Sequence, residues 1–335
     1  MYLARRQQMP CLGLPSHPSL EDICQLFPLN VQMYTWPECV IHAPGQTVKP
    51  CFLTQDMALP LMGGQVSSSD SFPSLPGTMN MNWMSALCPQ LWGVPIHHLS
   101  IPGSHDTMTY CLNKKPSISH DQSWLLQLLD KVLPCITRSV VMKWSATQTL
   151  NVTEQLDAGV QYLDLRIAHM LEGSKRNLHF MHLVYTTALV EDTLTEVSDW
   201  LEQHPREVVI VVCRNFEGMT EGLHEYLEDD GTVSRQGELW PRIPYWWGDQ
   251  VKPEELVHYL EHMKSGGRPG GLFVAGINLT ENLAYILLCP SESLKTMTLP
   301  SLPYLSRWVQ EQCPGPGTQC TNIIVGDFIG TDAFI

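Results

Sequence analysis

Apolar and polar positions along the chain follow two periods. Over residues 160–167 the period is two. Val160, Tyr162, Asp164 and Arg166 fall on one face, and Gln161, Leu163, Leu165 and Ile167 on the other, which predicts a strand. Over residues 190–203 the period lengthens, and Val190, Leu194, Val197 and Leu201 make the apolar stripe of a helix. Residues 208–213 are continuously apolar, as a strand buried on both faces is, with Arg214 and Asn215 at its end. Further strands are expected at 96–101, stopped by Pro102-Gly103, at 178–185, with His179 and His182 on opposite faces, at 271–277 and at 322–328. Helices are expected at 123–132, 153–158, 253–264 and 301–312. For the second of these, Asn151 or Thr153 serves as N-cap and Gly159 follows the C-terminal end. Strands alternating with helices predict βα units and a parallel sheet.

Before residue 80 this patterning is lost. Prolines recur too often for regular elements, and 63–77 is a Gly-Ser-Pro linker, so residues 1–80 are expected to be a low-order, Pro-rich extension and 83–335 the folded domain. Met62-Gly63-Gly64-Gln65-Val66-Ser67 fits the N-myristoylation pattern, which acts only if translation begins at Met62.

Composition narrows the function classes. In 335 residues the formal net charge is -14, which excludes a nucleic-acid binder with its basic stripe and long-range attraction to anionic membrane. The 11 cysteines include no C-x-x-C pair, which argues against a zinc site and for a reduced, cytoplasmic chain. No stretch has the length of a membrane span.

The candidate chemistry sits at strand ends. Leu99-Ser100-Ile101-Pro102-Gly103-Ser104-His105-Asp106-Thr107 places a His-Asp pair just past a strand. With Asp164, Arg166, His182, Arg214 and Asp327, these residues are spread over most of the sequence, and a βα barrel would gather them on one rim. Two imidazoles, an arginine and carboxylates suit phosphodiester cleavage. One His takes a proton from the attacking hydroxyl and the other gives one to the leaving oxygen. Arginine offers a charged fork to phosphoryl oxygens, and a carboxylate orients the basic imidazole. Asp164 and Arg166 on one strand face can also be read as a satisfied ion pair.

Three motifs in order, Ser-Ile-Pro-Gly-Ser-His-Asp-Thr (100–107), Tyr-Leu-Asp-Leu-Arg (162–166) and Phe-Met-His-Leu-Val-Tyr (180–185), resemble the X domain of phosphatidylinositol-specific phospholipase C, in particular the small X-domain-only proteins of animals. The resemblance implies a distorted TIM-like (βα) barrel over 83–335. It implies His105 as general base for the inositol 2-hydroxyl, His182 as general acid, Asp106 in support of the leaving group and Asp327 as the carboxylate orienting His105. Arg166 stands where the large signalling enzymes place an acidic calcium ligand, so no metal or other cofactor is expected. Arg214 falls near the substrate head group, and Asp164 is assigned with it to substrate binding.

The chain departs from the pattern in two places. Leu183 replaces the glycine that usually follows the second histidine. After residue 226 only 227–238 precede Leu239-Trp240-Pro241, so one helix and one strand of the barrel are expected to be missing. The aromatic cluster Trp240, Tyr245, Trp246 and Trp247 reads either as a lipid-touching patch or as core. The expected partner is a phosphatidylinositol lipid at a membrane surface, with no nucleic acid and no stable protein partner inferred. Two rival functions remain: a weak or inactive isoform that binds lipid or a partner, and a metal-dependent glycerophosphodiester phosphodiesterase, which needs an acidic ligand cluster where Arg166 stands.

Overall fold

The computed structural model describes residues 2–4, 30–31, 80–113, 131–132, 134–170, 177–220, 223, 243–289 and 291–331. The strands are β1 (Tyr2–Ala4), β2 (Asn30–Val31), β3 (Ile101–Ser104), β4 (Tyr162–His169), β5 (Leu178–His182), β6 (Val184–Leu189), β7 (Val209–Glu217), β8 (Tyr245–Trp246), β9 (Val274–Gly276) and β10 (Ile323–Gly326). The α-helices are α1 (Trp83–Ala86), α2 (Pro134–Ser145), α3 (Val152–Asp157), α4 (Val190–Gln203), α5 (Pro253–Ser265), α6 (Leu283–Leu288), α7 (Leu294–Thr298) and α8 (Leu302–Gln310).

One curled sheet runs β2-β1-β7-β4-β3-β10-β9-β8. From β7 to β8 every neighbouring pair is parallel, with helices on the outside, which is an incomplete TIM-like barrel. Among the described residues, β8 pairs only with β9, and β7 takes the antiparallel β1 on its other edge. The interval 227–238, expected to lack a strand, lies outside the described residues, as do Met62 and most of the helix expected at 123–132, of which 131–132 are helical.

Core packing follows the two periods. Leu163, Leu165 and Ile167 of β4 join Val209, Val211 and Cys213 of β7 against Val190, Leu194, Val197 and Trp200 of α4. On the inner face Ile101, Tyr162, Ile210, Val274, Ile323 and Val325 form an apolar floor, each from a strand of the barrel. Gly103 lets that floor close. A Cβ there would stand 2.6 Å from Val325 Cγ2 and 2.9 Å from Tyr162 Cδ1. At α3 the Asn151 side chain accepts from Glu154 N–H, and the Glu154 carboxylate accepts from Asn151 N–H, which selects Asn151 over Thr153 as the cap.

Two expected strands differ. Residues 96–98 form a 3₁₀ turn, and β3 begins at Ile101 and runs through Pro102-Gly103 instead of ending there. Proline is tolerated because the β3–β4 ladder starts only at Gly103 opposite Tyr162, so its missing N–H falls before that ladder, while its carbonyl accepts from Gln161 N–H. The stretch 178–185 is two antiparallel strands, β5 and β6, and not one. Leu183 makes the reversal with a left-handed φ of 62°, at the position where the family pattern has glycine. The run 208–213 also continues further than expected, so Arg214 lies within β7.

Candidate active site

Register alone brings the distant residues together. Ser104 pairs with both Leu163 and Gly326, so the residues just after β3 and β10, His105 and Asp327, lie level with Asp164 of β4. One strand over, Arg166 is paired in register with Arg214 of β7. His182 comes in from the β5–β6 turn. Asp106 follows β3 in a left-handed conformation, φ 42°, which a short polar residue accommodates, and the bend returns its carboxylate toward the sheet.

That carboxylate is the centre of the site. Its Oδ1 pairs with Arg166 Nε, and its Oδ2 lies 3.2 Å from His105 Nε2 and 3.4 Å from His182 Nε2. The two imidazoles stand 6.2 Å apart, ring centre to ring centre. His105 Nδ1 is 2.9 Å from Asp327 Oδ1, and Arg166 Nη2 is 3.2 Å from His105 Nε2. His182 Nδ1 donates to the Ser145 carbonyl at 2.8 Å, which leaves its Nε2 directed at Asp106.

Asp164 and Arg166 do not pair with each other. Asp164 takes both forks of Arg214, and Arg166 takes Asp106. Arg214 stands opposite Arg166 in the ladder, two residues beyond Val212, the register partner of Asp164, and its long side chain reaches diagonally back to the Asp164 carboxylate, while the loop after β3 brings Asp106 to Arg166. Thr107 Oγ1 accepts from Asp164 N–H at 2.9 Å and locks the loop after β3 onto β4.

Charge is balanced by neighbours. Burial alone would lower the His105 pKa, but the Asp106 and Asp327 carboxylates outweigh it and raise the pKa above the ordinary value. Burial brings His182 down to about 4, against the pull of Asp106. Burial would raise Asp106, yet Arg166 and both imidazoles hold it well below the usual carboxylate range. Asp327 goes the other way, because burial outweighs the attraction of His105. Arg214 is raised by Asp164 in spite of burial, and burial pushes Glu281, whose field reaches Asp327 and His105, up to about 7.

His105, Asp106 and Asp164 each bring a donor atom within 4.8 Å of the others. Both carboxylates are already neutralised by Arg166 and Arg214, so the positive charge a divalent ion would bring is present as guanidinium.

Some residues that shape the site carry no site signal in the sequence. Tyr245, expected only as part of an aromatic cluster, lies under the Arg214 guanidinium, 5.4 Å from ring centre, and donates to Asn278 Oδ1 at 3.1 Å. Thr147 and Gln148, both buried, bond the loop that carries His105. Nothing in their sequence surroundings marks them, since their partners lie elsewhere in the chain. Of the aromatic cluster, Trp246 is core and Trp247 is 53% exposed, while Trp240 lies outside the described residues.

An incomplete βα barrel whose strand ends converge two imidazoles and two arginine–carboxylate pairs is the architecture of a phospholipase C-type fold. Comparison with known proteins makes this specific. The PI-PLC X 1 family profile matches residues 139–229. The human PI-PLC X domain-containing protein 1 is 66% identical over 310 residues, covering 82% of this chain and 96% of that protein. Its zebrafish (Danio rerio) counterpart is 41% identical over 283 residues, covering 74% of this chain and 92% of its own. The chain belongs to the PI-PLC X domain family. The fold is also that of a Staphylococcus aureus phosphatidylinositol-specific phospholipase C, with a TM-score of 0.52 at 13% identity, covering 77% of this chain and 93% of that one. The 310-residue alignment to the human relative occupies only 82% of a 335-residue chain, so that relative has residues without a counterpart here. Among the described residues, no helix is long and apolar enough to cross a membrane.

Proposed function

We propose that this chain cleaves phosphatidylinositol-type lipids at the phosphodiester by metal-independent general acid/base catalysis. The observation that carries the reading is the convergence of Arg166, His105 and His182 on one carboxylate, which makes a three-donor cradle of the size an anionic phosphoryl oxygen needs. In its neutral form His105 donates from Nδ1 to Asp327 and keeps a lone pair on Nε2. That nitrogen takes the proton of the inositol 2-hydroxyl as its oxygen bonds to phosphorus. The bond from phosphorus to the glycerol oxygen breaks, and protonated His182 Nε2 supplies the proton that releases diacylglycerol, leaving a cyclic inositol phosphate. Arg166 stabilises the charge gathered on phosphorus, and Arg214, held by Asp164, faces the head group. The S. aureus phosphatidylinositol-specific phospholipase C binds membranes. For this chain the corresponding reading is peripheral contact with a lipid surface, supported by the exposed Trp247, with residues 83–335 as the catalytic unit and the cytoplasm as its compartment.

His105→Ala and His182→Ala should each lose at least about 100-fold in turnover of a phosphatidylinositol substrate while keeping a cooperative melting transition. Turnover retained by either variant overturns the role given to that residue. A chelator should leave wild-type turnover unchanged, and loss of activity would favour the metal-dependent rival. Among the described residues β8 has no neighbour beyond β9, and this favours one second reading, a weakly active isoform that binds lipid or a partner.

A further inference from the structure

Ser145 closes α2, and the connector Ala146-Thr147-Gln148 leads on toward α3. This short stretch touches every part of the His105 and His182 scaffolding. The Ser145 carbonyl accepts from His182 Nδ1 at 2.8 Å. Thr147 Oγ1 donates to the His105 carbonyl at 2.9 Å, and the Thr147 carbonyl accepts from Phe328 N–H at 2.7 Å. Thr109 Oγ1 accepts from the N–H groups of both Thr147 and Gln148, at 3.0 Å each.

Gln148 does most. It is 1% exposed. Its Nε2 donates to the His105 carbonyl at 2.9 Å and to the Gly326 carbonyl at 3.0 Å, and its Oε1 accepts from Ile329 N–H at 3.1 Å. The last rung of the β3–β10 ladder is His105 N–H to Gly326 carbonyl, 3.0 Å. Past that rung the sheet no longer holds the two loops together, and it is there that His105 and Asp327 project their side chains. The Gln148 amide spans the gap beside Thr147, whose hydroxyl and carbonyl bond His105 and Phe328.

We propose that Gln148 is a positioning residue, whose buried amide ties the loop after β3 to the loop after β10 and so sets the contact between His105 and Asp327. This rests on the reading of His105 as the base, and it adds a residue that never meets substrate. A primary amide suits the task because it offers two N–H donors in one plane to two carbonyls and an acceptor on the same group. A residue without donors takes one of two partners from each carbonyl, leaving Thr147 Oγ1 on that of His105 and the His105 N–H on that of Gly326, and so slackens the tie between the loops. The Nδ1–Asp327 bond then loosens, and the imidazolium loses part of its stabilisation. The other groups facing His105 remain in place: Asp106 and Arg166 at Nε2, the His182 ring, and the field of Glu281 from the loop after β9.

The test is nuclear magnetic resonance titration of His105 and His182 in the full chain, beside steady-state kinetics. In Gln148→Met, His105 should titrate about one pH unit lower than in the wild type while His182 stays where it was. The kcat should fall about tenfold, with KM little changed, since geometry and not ground-state binding is lost. Gln148→Asn keeps the donors on a shorter arm and should fall between the two, and it carries the test if the methionine variant does not fold. In the wild type the two Gln148 side-chain amide protons should exchange slowly with solvent, whatever the variants do. An unmoved His105 in a folded variant, equal shifts of both histidines, or fast exchange of those amide protons overturns the proposal. A shifted His105 in a chain that turns over no lipid keeps the positioning role and sinks the phosphodiesterase reading instead.

Discussion

At the scale of single residues the two histidines are made unequal by what surrounds the same carboxylate. His105 has carboxylates on both ring nitrogens, and its pKa is raised; His182 has one carboxylate and a carbonyl, and burial brings it down to about 4. Without ligand at neutral pH, His182 is therefore neutral, with its proton on Nδ1 toward Ser145 and none on Nε2. A phosphodiester entering beside it adds the negative charge that favours the imidazolium. The productive free enzyme has His105 neutral and His182 protonated. The kcat/KM should accordingly be bell-shaped, with an acid limb near pH 4 and an alkaline limb above the ordinary histidine value of 6.5. Measurement of kcat/KM from about pH 3 to about 9, roughly one unit below the acid limb and two above the ordinary histidine value, checks this; an acid limb lying above 6.5 contradicts the assignment of His182. Binding of inositol phosphate should raise the His182 titration, seen in its ring resonances.

At the scale of elements, close approach of strands is what the site demands. β3 is four residues long, and it passes between β10 and β4 only because Gly103 has no side chain. Gly103→Ala places a methyl group against Val325 and Tyr162 in a packed floor and should cost about 1–3 kcal/mol. Its melting temperature should fall, and turnover should fall with it, since His105 and Asp106 follow directly on that strand. An alanine variant as stable and as active as the wild type would show that the floor yields. The element scale is also where sequence patterning was most legible. α4 spans the predicted 190–203, and α3 is capped by Asn151, one of the two caps expected, with Gly159, φ 101°, just beyond it. The misreadings at β3 and at the β5–β6 hairpin share a cause. Proline and glycine read locally as stops, and leucine as a strand residue, whereas ladder position makes Pro102 acceptable and a turn places Leu183 at positive φ.

At the scale of the whole molecule, the open question is the edge between β7 and β8. A parallel sheet whose ends are not joined exposes backbone donors and acceptors. Here β7 is met by Tyr2–Ala4 in antiparallel pairing, with Asn30–Val31 outside it. A chain with one helix and one strand restored after residue 226 should close the barrel more fully. It should melt several degrees higher and turn over lipid faster than this chain when the two are assayed side by side; equal melting and equal turnover would mean that this edge is already satisfied.

Residue types and their periods were enough to establish the alternation of strand and helix and to single out seven polar residues, because local propensity and amphipathic patterning are written in neighbouring positions. Which of those residues pair was decided by the tertiary structure. Asp164 found Arg214 diagonally across the ladder, Arg166 found Asp106 of the loop after β3, and Gln148 came to bridge His105 and Gly326, because ion pairs and hydrogen bonds join groups that are close in space and far apart in the chain.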